Sequence, residues 1–365
     1  IAGDIDARNI VAAGVGTFIS DTTFNSITVG KGANSVASNT VLGLAALDAA
    51  VTGTDNTAIG NVSATTLTTG NSNTSVGSQS LQLNTTGDNN TAIGKDALRY
   101  FIAGNNTAVG GDAMQGVNGS STGSNNVAIG YYALRNTTTG QLNIAIGVET
   151  LDGNSTGSYN VAVGKGAMGN NTTADYNTAV GQEALLGNTT GTRNTGVGAF
   201  SLYTAQTAND NTAIGYEALR LNTTGSSNTA VGTYALDANT TASNNTAIGY
   251  QSLTDNTTGT SNVAVGMKAM FENTTGDYNT ALGQAALRDN TTADNNTAVG
   301  YAALLVNTGA ENTAVGANAL AANTTGAENT AFGANALDAN TTATGGAAFG
   351  KGALTSNTTG AENTA

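Results

Sequence analysis

Short alternations of polar and apolar residues recur along the chain at a fixed spacing. In the copy that begins at Asn211 the order is Asn-Thr-Ala-Ile-Gly, and a motif of this form begins every 17 residues from Asn126 to Asn296. Alternation over so few residues indicates a short β-strand, in which successive side chains point to opposite faces. One unit repeated at a constant interval predicts stacked coils, in which the motif has the same structural role each time.

The repeat extends beyond this regular stretch in both directions. A patch after Asn90 is irregular, and a step of 16 residues follows Asn296. The further starts are Asn39, Asn56, Asn73, Asn90, Asn106, Asn312, Asn329, Gly346 and Asn363. We therefore predict an all-β chain, a parallel β-solenoid or β-roll of about twenty 17-residue coils over residues 39–365. Residues 1–38 lack the repeat and are richer in large apolar side chains, which predicts an N-terminal junction or capping segment.

Each coil, numbered here from the motif Asn as position 1, has two apolar places. Position 4 is Ile, Val, Leu or Phe, and position 9 is Leu or Met in most copies. We expect both to point inward, and we expect the Ala at position 3 to face a neighbouring chain at close range. The predicted repeat core comprises Ile129, Ile146, Val163, Val180, Ile214, Leu219, Val231, Leu236, Ile248, Leu253 and Val265.

A cluster of turn-forming residues closes each coil. The sequence Asn-Thr-Thr-Gly, as in Asn222 to Gly225, combines residue types that favour turns. Stacking at about 4.8 Å per coil would place equivalent Asn side chains above one another, where they can form an amide ladder. Asn, Thr and Gly are weak helix formers, which disfavours a helical repeat.

Composition narrows the classes of function. The chain has 49 Gly but no Pro, Cys, His or Trp. A chain without Pro suits a fold in which nearly all backbone N–H groups enter hydrogen bonds between coils. With no His as a base, no Cys as a nucleophile and only scattered carboxylates, we expect no enzymatic activity, no cofactor and no metal site. The formal net charge of −13 disfavours nucleic-acid binding.

Other features bear on partners and context. No apolar run approaches the roughly 18 residues of a membrane span, so we expect no membrane insertion. The chain begins at Ile1 rather than Met and ends within a motif, which we interpret as a segment of a longer protein. Each coil has little apolar area with which to offset the ordering of its residues. We therefore expect the chain to associate with itself, and three-fold symmetry is the expected arrangement.

Three surface features bear on possible ligands. Tyr216, Tyr250 and Tyr301 follow the motif Gly and could stack on the sugar rings of a glycan. The many Asn-x-Thr sequons could accept N-glycans, although the repeat generates them automatically and a structural role explains them better. Thr223 and Thr224 are adjacent and should point to opposite sides, which argues against an ice-matching Thr face.

Two resemblances refine this picture. Residues 125–130, Asn-Asn-Val-Ala-Ile-Gly, resemble the Asn-Ser-Val-Ala-Ile-Gly signature of trimeric autotransporter adhesin heads. That family implies a left-handed parallel β-roll with three chains side by side. The longer phrase Gly-x-x-Ala-Leu-x-x-Asn-Thr-Thr-Gly is similar to repeats in tail-fibre and other structural proteins of bacteriophages.

The expected function follows from architecture and resemblance together. We expect a homotrimeric shaft of a phage tail fibre or related viral appendage, which presents a tip that binds a host-surface receptor or glycan through regions outside this segment. The alternative is the head or stalk of a bacterial trimeric surface adhesin, and an ice- or glycan-binding solenoid is a third class. The expected location is a virion tail appendage or the cell surface.

Overall fold

The computed structural model describes residues 21–24, 26–119 and 121–365, which form one continuous stack of β-coils. This part of the chain contains no α-helix, and a short 3₁₀ turn lies at Ala33–Ser35. The strands are β1 Thr22–Phe24, β2 Ile27–Gly30, β3 Thr40–Gly43, β4 Thr57–Ile59, β5 Thr74–Val76, β6 Thr91–Ile93, β7 Thr107–Val109, β8 Val127–Ile129, β9 Ile144–Ile146, β10 Val161–Val163, β11 Thr178–Val180, β12 Thr195–Val197, β13 Thr212–Ile214, β14 Thr229–Val231, β15 Thr246–Ile248, β16 Val263–Val265, β17 Thr280–Leu282, β18 Thr297–Val299, β19 Thr313–Val315, β20 Thr330–Phe332 and β21 Ala347–Phe349.

From β3 to β21 each strand pairs in parallel with the next, always in the same register. Ala213 of β13 lies opposite Ala230 of β14, and Ile214 lies opposite Val231. The irregular coils keep this alignment, since Ala108 of β7 still pairs with Ala128 of β8. The predicted parallel β-solenoid with a 17-residue repeat is therefore confirmed. At about 4.8 Å between neighbouring strands, the 19 strands from β3 to β21 make a rod about 90 Å long.

The limb that follows each strand also bonds to both neighbouring coils. Glu217 N donates to Ala199 O of the preceding coil at 3.1 Å, whereas Leu219 N donates to Ala235 O of the following coil at 2.9 Å. The backbone N–H groups of Glu217 and Leu219 thus point to opposite neighbouring coils. Both residues have a left-handed backbone conformation, with φ of 53° and 54°. Because amides along the whole coil donate to its neighbours, proline has few tolerated positions in this fold.

The interior of each coil is lined by small side chains and one large one. Ala213 at position 3, Ala218 at position 8 and Leu219 at position 9 are fully buried. The inward direction predicted for Leu219, Leu236 and Leu253 is confirmed. The rest of the predicted core lies on the outer side of the strands, half-buried or exposed: Ile129, Ile146, Val163, Val180, Ile214, Val231, Ile248 and Val265.

The prediction for the two faces of the strand is therefore wrong, and the width of the coil explains why. A Cβ built on Gly196, which replaces the position-3 Ala of β12, would lie 3.0 Å from Leu185 Cδ1 and 3.0 Å from Ser201 Oγ. The two limbs are so close that only Ala, Ser or Gly fits between most strands and the Leu of the opposite limb. The Ala face consequently packs inside its own coil, and the larger β-branched residues point away from it.

A first column of buried Asn side chains runs through position 1 of the coils. Asn211 Oδ1 accepts from Asn228 N at 2.9 Å, and Asn211 Nδ2 donates to Gly225 O at 2.9 Å. The same pattern joins Asn194 to Asn211 and Asn228 to Asn245. The predicted amide ladder is confirmed, and each amide joins a coil to its neighbour within an interior where an unpaired polar group is costly.

A second Asn column occupies position 12 of most coils. Asn239 Nδ2 donates to Asn222 Oδ1 at 2.9 Å and to Ala242 O at 3.1 Å, so the side chain also closes the predicted Asn-Thr-Thr turn. Ala205 interrupts this column. The Oδ1 of Asn188, one coil before it, is buried and accepts no hydrogen bond from the described part of the chain.

Replacing Ala205 by Asn should stabilise the rod. The new amide would supply Asn188 Oδ1 with the donor that Asn239 supplies to Asn222. Satisfying one buried acceptor is worth about 1–2 kcal/mol, which chemical denaturation would measure as a higher midpoint. Ala205→Leu adds similar bulk without an amide and is the control. An equal gain from Leu would show that volume rather than hydrogen bonding limits this coil.

The first coil is covered by a hairpin. β1 and β2 pair antiparallel, and β2 pairs antiparallel with β3. The Asp21 carboxylate accepts hydrogen bonds from Lys31 N at 2.6 Å and Gly32 N at 2.7 Å, which fixes the start of this hairpin. Residues 1–20 lie outside the described residues, so the cap over residues 1–38 stays a prediction.

Candidate self-association face

A uniform surface runs along the outer side of strands β3 to β21, formed by positions 2 and 4, which we call the outer face. Position 2 is mostly Thr. Position 4 is Leu42, Ile59, Val76, Ile93, Val109, Ile129, Ile146, Val163, Val180, Val197, Ile214, Val231, Ile248, Val265, Leu282, Val299, Val315, Phe332 and Phe349. The constant register of the strands aligns these side chains in two straight rows.

The apolar side chains at position 4 of this face are exposed or half-buried. Ile214 is 41% exposed, Ile248 is 40% exposed, and Phe332 reaches 52%. A single exposed Leu or Ile is common on a soluble protein, but a continuous row marks an interaction surface or an aggregation hazard.

The outer face carries no charge at positions 2 and 4 of these strands. Three residues per strand, at about 3.3 Å each, make the outer face about 10 Å wide. Over a rod of about 90 Å this width gives an area of about 900 Å². This area is comparable to the roughly 800 Å² that each partner contributes to a standard protein interface. Depletion of charge at its centre is also what protein interfaces show.

The Thr hydroxyls of position 2 are free of intramolecular bonds within the described residues. No hydrogen bond there involves Oγ1 of Thr212 or of its equivalents, whereas Thr223 Oγ1 at position 13 donates to Thr240 O at 3.0 Å. The position-13 hydroxyls thus belong to the inner hydrogen-bond system of the rod. Those of position 2 are available to whatever covers the outer face.

The three Tyr residues considered for glycan contact are exposed but lie in separate coils. Tyr216, Tyr250 and Tyr301 are 42%, 47% and 57% exposed. Tyr216 packs edge-to-face against Phe200 and Tyr234, with ring centroids 6.1 and 5.6 Å away. Two and three coils separate the three rings, so they form no continuous platform with one another. Glycan contact by these residues stays a prediction.

Charged groups lie away from the outer face and pair between coils. Arg220 Nε contacts Asp237 Oδ1 at 3.0 Å, both at position 10. Arg193 Nε contacts Asp210 Oδ1 at 2.6 Å, both at position 17, and this hydrogen bond lowers the pKa of the Asp210 carboxyl. Such exposed ion pairs contribute little to stability. The charged residues that form them lie on sides of the rod other than the outer face.

Catalytic or metal-binding clusters were not expected from the sequence. Among the residues that the structure describes, no group of three His, Cys, Asp or Glu side chains is placed to hold a metal ion. The same residues include no helix that is long and apolar enough to cross a membrane.

A signal for the outer face is present in the sequence. Position 4 accepts Val, Ile, Leu and Phe, which differ greatly in volume, whereas position 3 is Ala, Ser or Gly from β4 onwards. Close-packed interiors tolerate volume changes poorly. The constant position is therefore the inner one, and period-two alternation alone does not reveal this.

Comparison of the sequence with protein-family models and with curated proteins finds no match.

Proposed function

We propose that this chain is a structural shaft, in which copies of the chain lie side by side and cover one another's outer faces. Its role is to hold a separate binding region at a distance from the particle or cell that carries it. In this proposal the chain performs no catalysis and holds no cofactor, and its principal partner is a second copy of itself.

The outer face carries this proposal. A chemically uniform surface about 90 Å long, with equivalent side chains about every 4.8 Å, needs a partner with the same spacing over the same length. Another copy of this chain meets that condition, because its coils have the same spacing over the same length. Covering the outer face would remove about 900 Å² of uncharged surface per copy from water, and burial of its apolar row is the main driving force of association.

The proposed number of chains in the assembly and the proposed origin of the protein rest on sequence resemblance. Similarity to the heads of trimeric autotransporter adhesins favours three chains and a left-handed winding. Similarity to phage tail-fibre repeats favours a virion tail appendage, with a host receptor or glycan bound by regions outside this segment. The alternative is the head or stalk of a bacterial surface adhesin.

Sedimentation and light scattering on the 365-residue chain test the proposal. We expect a mass of three times 35.9 kDa, a far-ultraviolet spectrum rich in β-structure, and rods about 90 Å long in electron micrographs. A folded monomer at micromolar concentration would overturn the side-by-side shaft.

A folded monomer would leave the regular Thr and aliphatic rows open to solvent. In that case the outer face would be tested as an ice-binding surface by thermal hysteresis. Slowed growth of ice crystals by the folded monomer would then support the ice-binding solenoid in place of the shaft.

A further inference from the structure

We infer that N-linked glycosylation at the second Asn column and formation of the rod exclude each other, because both require the same Asn amide nitrogens. This inference rests on the interior of the coil and is independent of the proposed function. Eleven Asn residues of the second Asn column begin a sequon and are fully buried: Asn84, Asn154, Asn171, Asn188, Asn222, Asn239, Asn256, Asn273, Asn290, Asn323 and Asn340.

In eight of these eleven residues both amide hydrogens form hydrogen bonds inside the rod. Asn239 Nδ2 donates one to Asn222 Oδ1 at 2.9 Å and the other to Ala242 O at 3.1 Å. Asn256 repeats the pattern, with Asn239 Oδ1 at 3.0 Å and Gly259 O at 2.9 Å as its acceptors. Asn84, Asn154 and Asn222 donate one such bond each, and all eleven side chains are fully buried, so Nδ2 has no contact with solvent.

Glycan transfer changes that nitrogen irreversibly. In N-glycosylation the amide nitrogen attacks the anomeric carbon of a lipid-linked pyrophosphoryl oligosaccharide. The N–C bond forms, the bond from that carbon to the pyrophosphate oxygen breaks, and the amide loses one proton. The product has one amide hydrogen instead of two, and it carries a hydrophilic chain that would have to leave through the packed coil.

Two other sequons of the same chain do not share this conflict. Asn244 and Asn295 lie at position 17, are exposed, and begin Asn-Asn-Thr sequons. Glycans at these two residues can project directly into solvent. They provide an internal comparison. The same glycosylating enzyme meets similar sequons at both positions, and only the position of the Asn in the coil differs.

Secretion from a eukaryotic cell line tests the inference with a matched pair of variants. The first replaces the third residue of each of the eleven sequons by Ala, as in Thr241→Ala, which abolishes the sequon and leaves the Asn in place. The second makes the Thr→Ser change at the same positions and keeps every sequon. The eleven residues are exposed and their hydroxyls make no hydrogen bond in the described structure: Thr86, Thr156, Thr173, Thr190, Thr224, Thr241, Thr258, Thr275, Thr292, Thr325 and Thr342.

Two measurements decide the outcome. We expect the Ala variant to give several-fold more protease-resistant rod than the unmodified chain and the Ser variant. We also expect mass mapping to find glycans at Asn244 and Asn295 in the resistant fraction but none at the eleven column positions. Equal yields from all three chains, or column glycans within the resistant rod, would overturn the inference.

Discussion

Replacing Ile214, Ile248 and Leu282 by Asp should separate the copies of the chain while each coil stays folded. The three residues lie in alternate coils and are 41%, 40% and 38% exposed, so a carboxylate at each can be solvated in the free chain. When copies associate, the new charges would meet like charges on the partner or lose their water without a counter-ion. Each such charge costs several kcal/mol when it is left unpaired.

The expected result is a change of mass without a change of fold. Sedimentation should give the mass of one chain, and the far-ultraviolet spectrum should remain that of the parent. A loss of about 3–5 kcal/mol corresponds to an affinity at least a hundredfold lower. Alternate coils are chosen because charges about 10 Å apart are largely screened from one another at ordinary salt.

Asp at position 14 of the same three coils is the control. Thr224, Thr258 and Thr292 are exposed, lie off the outer face, and have hydroxyls that make no hydrogen bond in the described structure. The variant with these three Asp residues has the same added charge and should keep the parent's mass. Separation in this variant too would attribute the effect to net charge, and assembly of the outer-face variant would refute the assigned interface.

Replacing Gly215 by Ala should disrupt the stack around β13 and β14. Gly215 has φ of 141°, which an L side chain rarely adopts, and an added Cβ would lie 2.6 Å from the carbonyl carbon and oxygen of Gly232. These are backbone atoms of the next coil, held by the hydrogen bond from Gly232 N to Ile214 O at 2.8 Å. Backbone strain and the clash together should cost about 2–5 kcal/mol.

The damage should stay local, because each coil contacts only its neighbours. Hydrogen exchange followed by mass spectrometry should show protection lost around residues 198–249 and retained near β6. Gly350→Ala is the control for strain alone. Gly350 has a comparable φ of 126°, but no atom lies within 4 Å of its added Cβ. Similar losses of protection at both sites would show that backbone strain, and not the clash, causes the effect.

The stacked architecture could be predicted from the sequence because the repeat is nearly constant. The position of Leu219 and the stacking of Asn211 on Asn194 follow once equivalent residues are placed above one another. Alternation does not assign the two faces, since it is identical whether Ile214 or Ala213 points inward, and only the constant small volume at position 3 indicates the inner one. The distance between the two limbs decides which side chains fit inside the coil, and this distance is seen only in the three-dimensional structure.

The backbone of the second limb was also beyond the sequence. Leu219 adopts a left-handed conformation that Leu seldom takes, and its side chain gives no sign of it. The conformation follows from hydrogen bonding to coils on both sides, a requirement of the stack as a whole. The free acceptor of Asn188 is likewise visible only in the three-dimensional stack.

The direction of the two Asn columns determines how the rod responds to force. Hydrogen bonds between coils run along the rod axis, so a pull on its ends loads the successive junctions between coils in series. The weakest junction then opens first, and each coil that detaches releases 17 residues, about 55–60 Å of chain, in place of about 4.8 Å of rod. A single chain of this design lengthens in nearly equal steps under tension, whereas copies joined along the outer face would share the load side by side.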